Sequence, residues 1–231
     1  MLETAQKVWF LHRIELFKGI ADDDYRQMDR HSREASFKKG ELIYSAGDAS
    51  ANVYMLKGGK VKMSRATDDG KEITLGILRE GDVFGELAVT GESERNEQAV
   101  ALEDCHVCIM ARRDFEEILK AKLNLSLKFA RLIGLRIKTL ESRISDLMFW
   151  DTPSRVARLL LNLEKEYGKP GPGGKLLRLK LTCQEMANLI GAARETVSAV
   201  LADWKHVGIL DYPQRMLFIK DQKRLESIAG V

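Results

Sequence analysis

The most specific chemistry in this chain lies between Thr182 and Leu201. Thr182 followed three residues later by Glu185 is a capping-box pattern, which opens a helix. Gly191 stands where that helix must stop and the backbone needs a positive φ. Ala187 is small where two helices would cross, and Met186, Ile190, Val197 and Val200 are spaced to share a core. The segment therefore predicts a helix-turn-helix. Arg194, Glu195 and Ser198 project from the start of its second helix, the part of such a motif that enters a DNA major groove. Arginine donates bidentately to guanine, and glutamate accepts from cytosine N4. Thr182, Gln184 and Thr196 are assigned to backbone phosphates. A helical hairpin that merely packs is the alternative.

The flanks extend the pattern. Leu176 to Leu181 alternates leucine with Arg178 and Lys180, as a strand with one wet face does. Ile209–Tyr212 and Met216–Ile219 are expected to form a hairpin around Pro213, Gln214 and Arg215. That makes a winged helix, with Arg215 at the wing tip near phosphates. Lys205 and His206 either add phosphate contacts or are simply solvated.

The elements that must carry this head come earlier. Short apolar stretches such as Leu42–Tyr44, Val53–Leu56, Val61–Met63, Ile73–Leu75 and Val107–Met110 are separated by Gly40, Gly47, Gly58-Gly59, Asp69-Gly70 and Gly81. Strands at near-regular spacing with glycine turns predict an antiparallel barrel or jelly roll. Asp69-Gly70 reads as a two-residue primed turn, and Asp22 to His31 as a short helix before the strands. From Asp114 to about Phe149 there is no proline and one glycine, so one long helix is expected. Ile133, Ile137, Leu140, Ile144 and Leu147 follow a four-three spacing on it, the seam of a two-stranded coiled coil. A second stripe, Leu125, Phe129, Leu132 and Leu135 or Arg136, would pack on the roll. The alternative is that both stripes are intramolecular core, and the seam alone favours dimerisation only slightly. Asp151-Thr152-Pro153 then starts a new helix after a hinge.

Composition sets outer bounds. The chain has 231 residues, 45% hydrophobic and 31% charged, with a net charge of +3. That charge is uneven. Residues 1–113 hold 17 basic and 20 acidic side chains, residues 114–150 hold 7 and 5, and residues 151–231 hold 13 and 9. The reading end is basic and the roll acidic. No apolar stretch approaches the length of a membrane span, and no signal-peptide core opens the sequence. Three cysteines fit a reducing, cytoplasmic setting better than a disulfide framework.

Roll, seamed helix and helix-turn-helix together resemble the Crp/Fnr family of bacterial transcription regulators. The resemblance rests on Gly81-Asp82-Val83-Phe84-Gly85-Glu86-Leu87, which looks like that family's phosphate-binding cassette, and on Gly191 to Val197, which contains its Arg-Glu-Thr-Val. Asp146–Asp151 and Arg155–Leu163 look like its hinge and following helix. The resemblance implies an α+β chain in three parts: a cyclic-nucleotide-binding-type β-roll over 1–113, a dimerisation helix and hinge over 114–150, and a winged helix-turn-helix over 151–231. It also implies a homodimer on double-stranded DNA. The loop Lys169–Lys175, expected to be flexible, would lie where relatives touch RNA polymerase.

For the effector, Gly85, Glu86, Leu87 and Arg95 match the cyclic-AMP-binding pattern, and Arg136 matches a family arginine near the pocket. Asn96 and Glu97 depart from it, standing where the binders carry Ser-Ala, and Glu97 sets a carboxylate against the phosphate. Leu140 and Glu141 replace the Thr-Ser pair that contacts adenine. Glu86, Arg95 and Arg136 could equally form a plain salt-bridge network. The expectation is a pocket that is empty, filled by its own side chains or given to an unidentified ligand, with no cofactor; cyclic-nucleotide control is the alternative. No cysteine precedes Cys105, so an N-terminal iron–sulfur site is excluded. Cys105 and Cys108, three apart on a strand, would face opposite sides and form no zinc site. A haem on His106 is set against an exposed or structural histidine. Four scattered histidines and no nucleophile motif argue against an enzyme. The competing class is a ligand-binding module whose winged helix meets protein rather than DNA.

Overall fold

In the computed structural model the described residues are 14–20, 22–213 and 216–231. They form two compact units, Met1–Ile137 and Lys138–Val231. Arg215 and His12 lie outside the described residues.

The first unit is a β-roll. Helix α1 (Asp22–Arg30) precedes eight antiparallel strands: β1 (Ser32–Phe37), β2 (Leu42–Tyr44), β3 (Asn52–Gly58), β4 (Val61–Ala66), β5 (Glu72–Leu78), β6 (Val83–Phe84), β7 (Gln98–Ala101) and β8 (Cys105–Ala111). They make two four-stranded sheets in the orders β1-β8-β3-β6 and β2-β7-β4-β5. The apolar run Val53–Leu56 is buried on both faces, as strands covered on two sides are. Val53 and Met55 pack under helices with Cys108 and Met110, while Tyr54 and Leu56 face a second core with Cys105, Val107 and Ile109. The two cysteines thus sit in different cores, as strand alternation requires.

Three local expectations change. The Asp69-Gly70 connection is longer than a two-residue primed turn: Gly70 N–H bonds the Thr67 carbonyl and Thr67 N–H bonds the Lys71 carbonyl, each at 2.9 Å. Three residues, Asp68 to Gly70, therefore span the hairpin, with Thr67 supplying the closing pair. The predicted long helix is two, α2 (Arg112–Ala121) and α3 (Leu123–Phe149). Lys122 between them is extended, with φ −131° and ψ 92°. The Ser126 hydroxyl, donating to the Leu119 carbonyl at 2.6 Å, covers the broken end. This break lets Phe115, Ile118 and Leu119 on α2 and Leu125 and Phe129 on α3 all enter one core. No glycine or proline is needed for it, so the sequence carries no mark there.

In the second unit, α4 (Thr152–Tyr167) is capped by Asp151, which accepts from Ser154 N–H at 2.9 Å. The third change follows it: Lys169–Lys175 is a hairpin of β9 (Gly168–Gly171) and β10 (Gly174–Leu177). Gly174 is required by packing, since a Cβ there would lie 2.1 Å from the Ile219 carbonyl oxygen and 2.8 Å from the Phe218 ring. Gly171 and Gly174 make room for a neighbouring strand, while Gly173 turns the hairpin at φ 74°. Beyond Leu177 the strand stops, although the alternation persists, with Leu179 buried and Arg178 and Lys180 exposed. Then come α5 (Cys183–Ile190), α6 (Arg194–His206), β11 (Leu210–Asp211), β12 (Phe218–Ile219) and α7 (Gln222–Ala229). The four short strands pair in the order β11-β12-β10-β9. Among the described residues no helix is long and apolar enough to cross a membrane.

Phe115 is fully buried, edge-on to Phe17 at 6.4 Å and to Phe129 at 5.8 Å between ring centroids. Phe115→Ala should cost about 3–5 kcal/mol, read as a lowered denaturant midpoint for the roll.

Candidate nucleic-acid interface and sensor cassette

The helix-turn-helix is assembled as its sequence specifies. The Thr182 hydroxyl accepts from Glu185 N–H at 3.1 Å, and the Glu185 carboxylate accepts from Thr182 N–H at 2.6 Å. Helix α5 ends at Gly191, whose φ of 62° only glycine adopts cheaply. Met186, Ala187, Ile190, Val197, Leu201 and Trp204 are buried, and Val200 is half-buried. Arg194, Glu195, Thr196 and Ser198 are exposed together on the first turns of α6. Two of the groups assigned to phosphate are engaged locally. The Thr182 hydroxyl also donates to Glu185 at 2.8 Å, and the Gln184 amide donates to Asn188 at 2.8 Å. Helix α6 has no capping side chain, because Ala193 occupies the N-cap.

The cassette lies where β6 runs into a 3-10 turn, Glu86–Thr90, through Gly85 at φ 67°. A Cβ on Gly85 would lie 2.9 Å from the Tyr54 ring and 3.0 Å from Arg95 Nη1. Arg95 is 2% exposed. Its Nη1 donates to the Gly85 carbonyl at 2.9 Å, and its Nη2 donates to the Asn52 carbonyl. The guanidinium lies 4.6 Å above the Tyr44 ring centroid and 5.7 Å from that of Tyr54, within cation–π range. Its Nε has no hydrogen-bond partner among the described residues. Glu97, also buried, accepts from the Tyr44 hydroxyl at 3.2 Å. Burial pushes the Glu97 carboxyl above its ordinary 4.5, with Glu92 adding to the rise and the Tyr44 hydrogen bond opposing it. Burial likewise raises the Tyr44 phenol, and Glu97 adds to it. Glu86 is ion-paired with Arg136, which also donates to the Val83 carbonyl. Leu87 is exposed, as are Leu140 and Glu141.

Two of the five Arg95 N–H donors go to carbonyls and its faces to two rings, and a buried carboxyl group stands two residues away. Arg95 and Arg136 answer to different partners: Arg136 holds Glu86, whereas Arg95 takes backbone oxygens and aromatic faces. The rings of Tyr44 and Tyr54 and the Asn52 carbonyl carry no sequence signal for this role, since they lie some 40 to 50 residues upstream on other strands.

The remaining candidates fall as follows. Ile133 is half-buried against the roll core, while Ile137, Leu140, Ile144 and Leu147 are exposed. Of the second stripe, Leu125 and Phe129 are buried and Leu132 is half-buried, but Leu135 is 67% exposed. His106 Nδ1 lies 2.9 Å from the Ser36 hydroxyl on the exposed side of β8. Among the described residues no group of three His, Cys, Asp or Glu is placed to hold a metal ion.

A roll carrying this cassette and a capped helix-turn-helix define a ligand-sensor-type DNA-binding architecture, and known proteins agree. The cyclic nucleotide-binding domain family matches residues 34–122, and the Crp-like helix-turn-helix domain family matches residues 154–228. A global nitrogen regulator of Synechocystis is 34% identical over 194 residues, covering 83% of this chain and 86% of that one. A CRP-like cAMP-activated global transcriptional regulator of Mycobacterium tuberculosis is 29% identical over 215 residues, 93% of this chain and 96% of that one. The solved structure of a CooA mutant from Carboxydothermus hydrogenoformans has a TM-score of 0.73 at 31% identity, over 87% of this chain and 88% of that one. The chain belongs to the Crp/Fnr family of transcription regulators.

The Glu97 carboxyl, raised in the folded roll, binds its proton more tightly there than in the unfolded chain. Its contribution to stability is therefore greatest at low pH and falls as pH rises from about 4.5 through its raised value. Glu97→Gln keeps an oxygen for Tyr44 without the charge. It should stabilise the roll at pH 8 by more than at pH 4, in denaturant unfolding at both pH values.

Proposed function

We propose that this protein is a homodimeric, sequence-specific regulator of transcription that reads double-stranded DNA through Arg194, Glu195 and Ser198, with Thr196 and Arg215 on phosphates. The observation that carries this reading is the exposed cluster at the start of α6 on a scaffold whose cap, turn glycine and core are all in place. Thr182 and Gln184 reach phosphate only by exchanging their present local partners. Where many relatives carry a base-reading arginine, Ala199 stands. The half-site therefore tolerates changes at that position.

Dimerisation uses α3. Ile137, Leu140, Ile144 and Leu147 are 52%, 46%, 61% and 52% exposed, a stripe of aliphatic side chains at heptad spacing that a second copy would cover. Ile133 is the seam residue already half-taken by the chain's own core. The working division is 1–113 for the roll, 114–150 for the dimerisation helix and hinge, and 151–231 for the reading head. RNA polymerase is the proposed protein partner, met by the Lys169–Lys175 hairpin.

The roll works without a cyclic nucleotide. Its Arg95 already bonds two carbonyls and faces two rings of the chain, and its Glu97 opposes phosphate; on this reading the pocket is filled by its own side chains. Cyclic AMP is the alternative, drawn from the name of the M. tuberculosis relative. Calorimetry with cyclic AMP and cyclic GMP decides this; no submicromolar binding is expected, and such binding would overturn the reading.

Arg194→Ala should cost about 1–3 kcal/mol on a specific duplex and relax one base position. An equal loss on random duplex would remove Arg194 from base reading. Ile144→Asp should shift the protein toward monomer in sedimentation and weaken binding to a two-fold-symmetric duplex.

A further inference from the structure

The recognition helix lacks a cap of its own. Ala193 offers no side-chain acceptor, so the position of Arg194 depends on the turn Gly191–Ala193 that precedes it. That turn is held from outside the motif. Arg155, on the first turn of α4, donates Nη1 to the Ile190 carbonyl at 2.8 Å and approaches the Gly191 carbonyl at 3.5 Å. Its Nη2 donates to the Thr152 hydroxyl at 3.2 Å, which fixes the plane of the fork. These carbonyls are the negative end of the α5 dipole, where a cation is favoured. The base of the fork is fixed too: Arg155 N–H bonds the Asp151 carbonyl at 3.0 Å, and Asp151 is the cap of α4. On its other side the turn meets Leu147, whose Cδ2 would lie 3.1 Å from a Cβ at Gly191.

We propose that Arg155 is a positioning residue for base recognition: by binding the carbonyls at the end of α5, it sets where the turn releases α6 and so where Arg194, Glu195 and Ser198 point. It touches no base itself. The inference rests on the DNA-reading assignment above and adds to it a residue outside the reading helix. Lysine is a poor replacement, because a single ammonium carries no planar fork to span carbonyl and hydroxyl together.

The test uses the full chain and a duplex enriched by the unmodified protein from a randomised pool, beside a scrambled duplex of equal length. Arg155→Gln should reduce the ratio of enriched to scrambled affinity by about tenfold, and Arg155→Lys should recover only part of it. The slope of log affinity against log salt on the scrambled duplex should not change, since no phosphate contact is removed. Thr152→Val, which only releases the fork, is the milder variant should Arg155→Gln fold poorly; its expected loss in the ratio is about threefold. Amide exchange supplies a readout without DNA. The Ala192 and Val197 amides, bonded to Ala187 and Ala193 carbonyls at 3.1 and 3.2 Å, should exchange faster in the Arg155 and Thr152 variants. An unchanged ratio in every folded variant, or equal loss on both duplexes, overturns the proposal. If the unmodified protein enriches no duplex, the DNA-reading assignment fails. Amide exchange then still decides the local role: unchanged protection overturns it.

Discussion

The guanidinium of Arg95 is taken out of water with no carboxylate salt-bridge partner among the described residues, and much of the roll's arrangement follows from keeping it there. A buried charge costs several kcal/mol unless it is well compensated. Compensation comes from the Gly85 and Asn52 carbonyls and from the faces of Tyr44 and Tyr54. Each demands something of the surroundings. The Gly85 carbonyl faces Arg95 only because the residue takes a left-handed conformation with no Cβ in the way. The tyrosines are held by ring contacts, with Tyr54 stacked on Phe84 at 5.0 Å between centroids and Tyr44 tilted against Tyr54 at 5.3 Å. Glu97 then finds its hydrogen bond on Tyr44, so the anion two residues along is satisfied by the ring that supports the cation.

The same turn presents Glu86 to Arg136, and through it the cassette is tied to the opening half of α3. Arg136 further binds the Val83 carbonyl just before the turn. The arginine of the helix thus grips both sides of Gly85. In this family the cassette is where a ligand would be felt. Here Glu86 is paired with Arg136, and Arg95 bonds two carbonyls and faces two rings of the same chain.

The reading head rests on a different economy. Its elements are short, α5 having eight residues, and isolated helices of that length are unstable in water. They persist because α4 supplies a buried face of Val156, Ala157, Leu160, Leu161 and Leu163 against which the motif and wing pack. Further fastenings come from Arg158. It reaches Asp146 at 2.8 Å and the Ala229 carbonyl at 3.0 Å, and lies 5.1 Å from the Trp150 ring centroid. The end of α3, the start of α4 and the end of α7 are thereby joined by one side chain.

Much of this was legible in sequence where the information is local. The capping box at Thr182 and Glu185, the stop at Gly191 and the strand alternation at Cys105 and Cys108 follow from hydrogen-bond geometry and periodicity within a few residues. So does the exposure of Arg194, Glu195 and Ser198, because one face of α6 must go to the core. The break at Lys122 was not legible, since its cause is the fit of Phe115 and Phe129 into one core rather than any local residue preference. Nor was the hairpin at Gly168–Leu177, where Gly171 and Gly174 answer to Phe218 and Ile219 forty-odd residues away. The sequence by itself determined the strand alternation of the roll, the capping box and stop of α5 and the residues that α6 exposes. Only the tertiary structure decided which partner each charge takes, putting Arg95 on Tyr44 and Asn52 and Arg155 on the Ile190 carbonyl. Pairings of that kind depend on the distance and desolvation of groups that chain order keeps far apart.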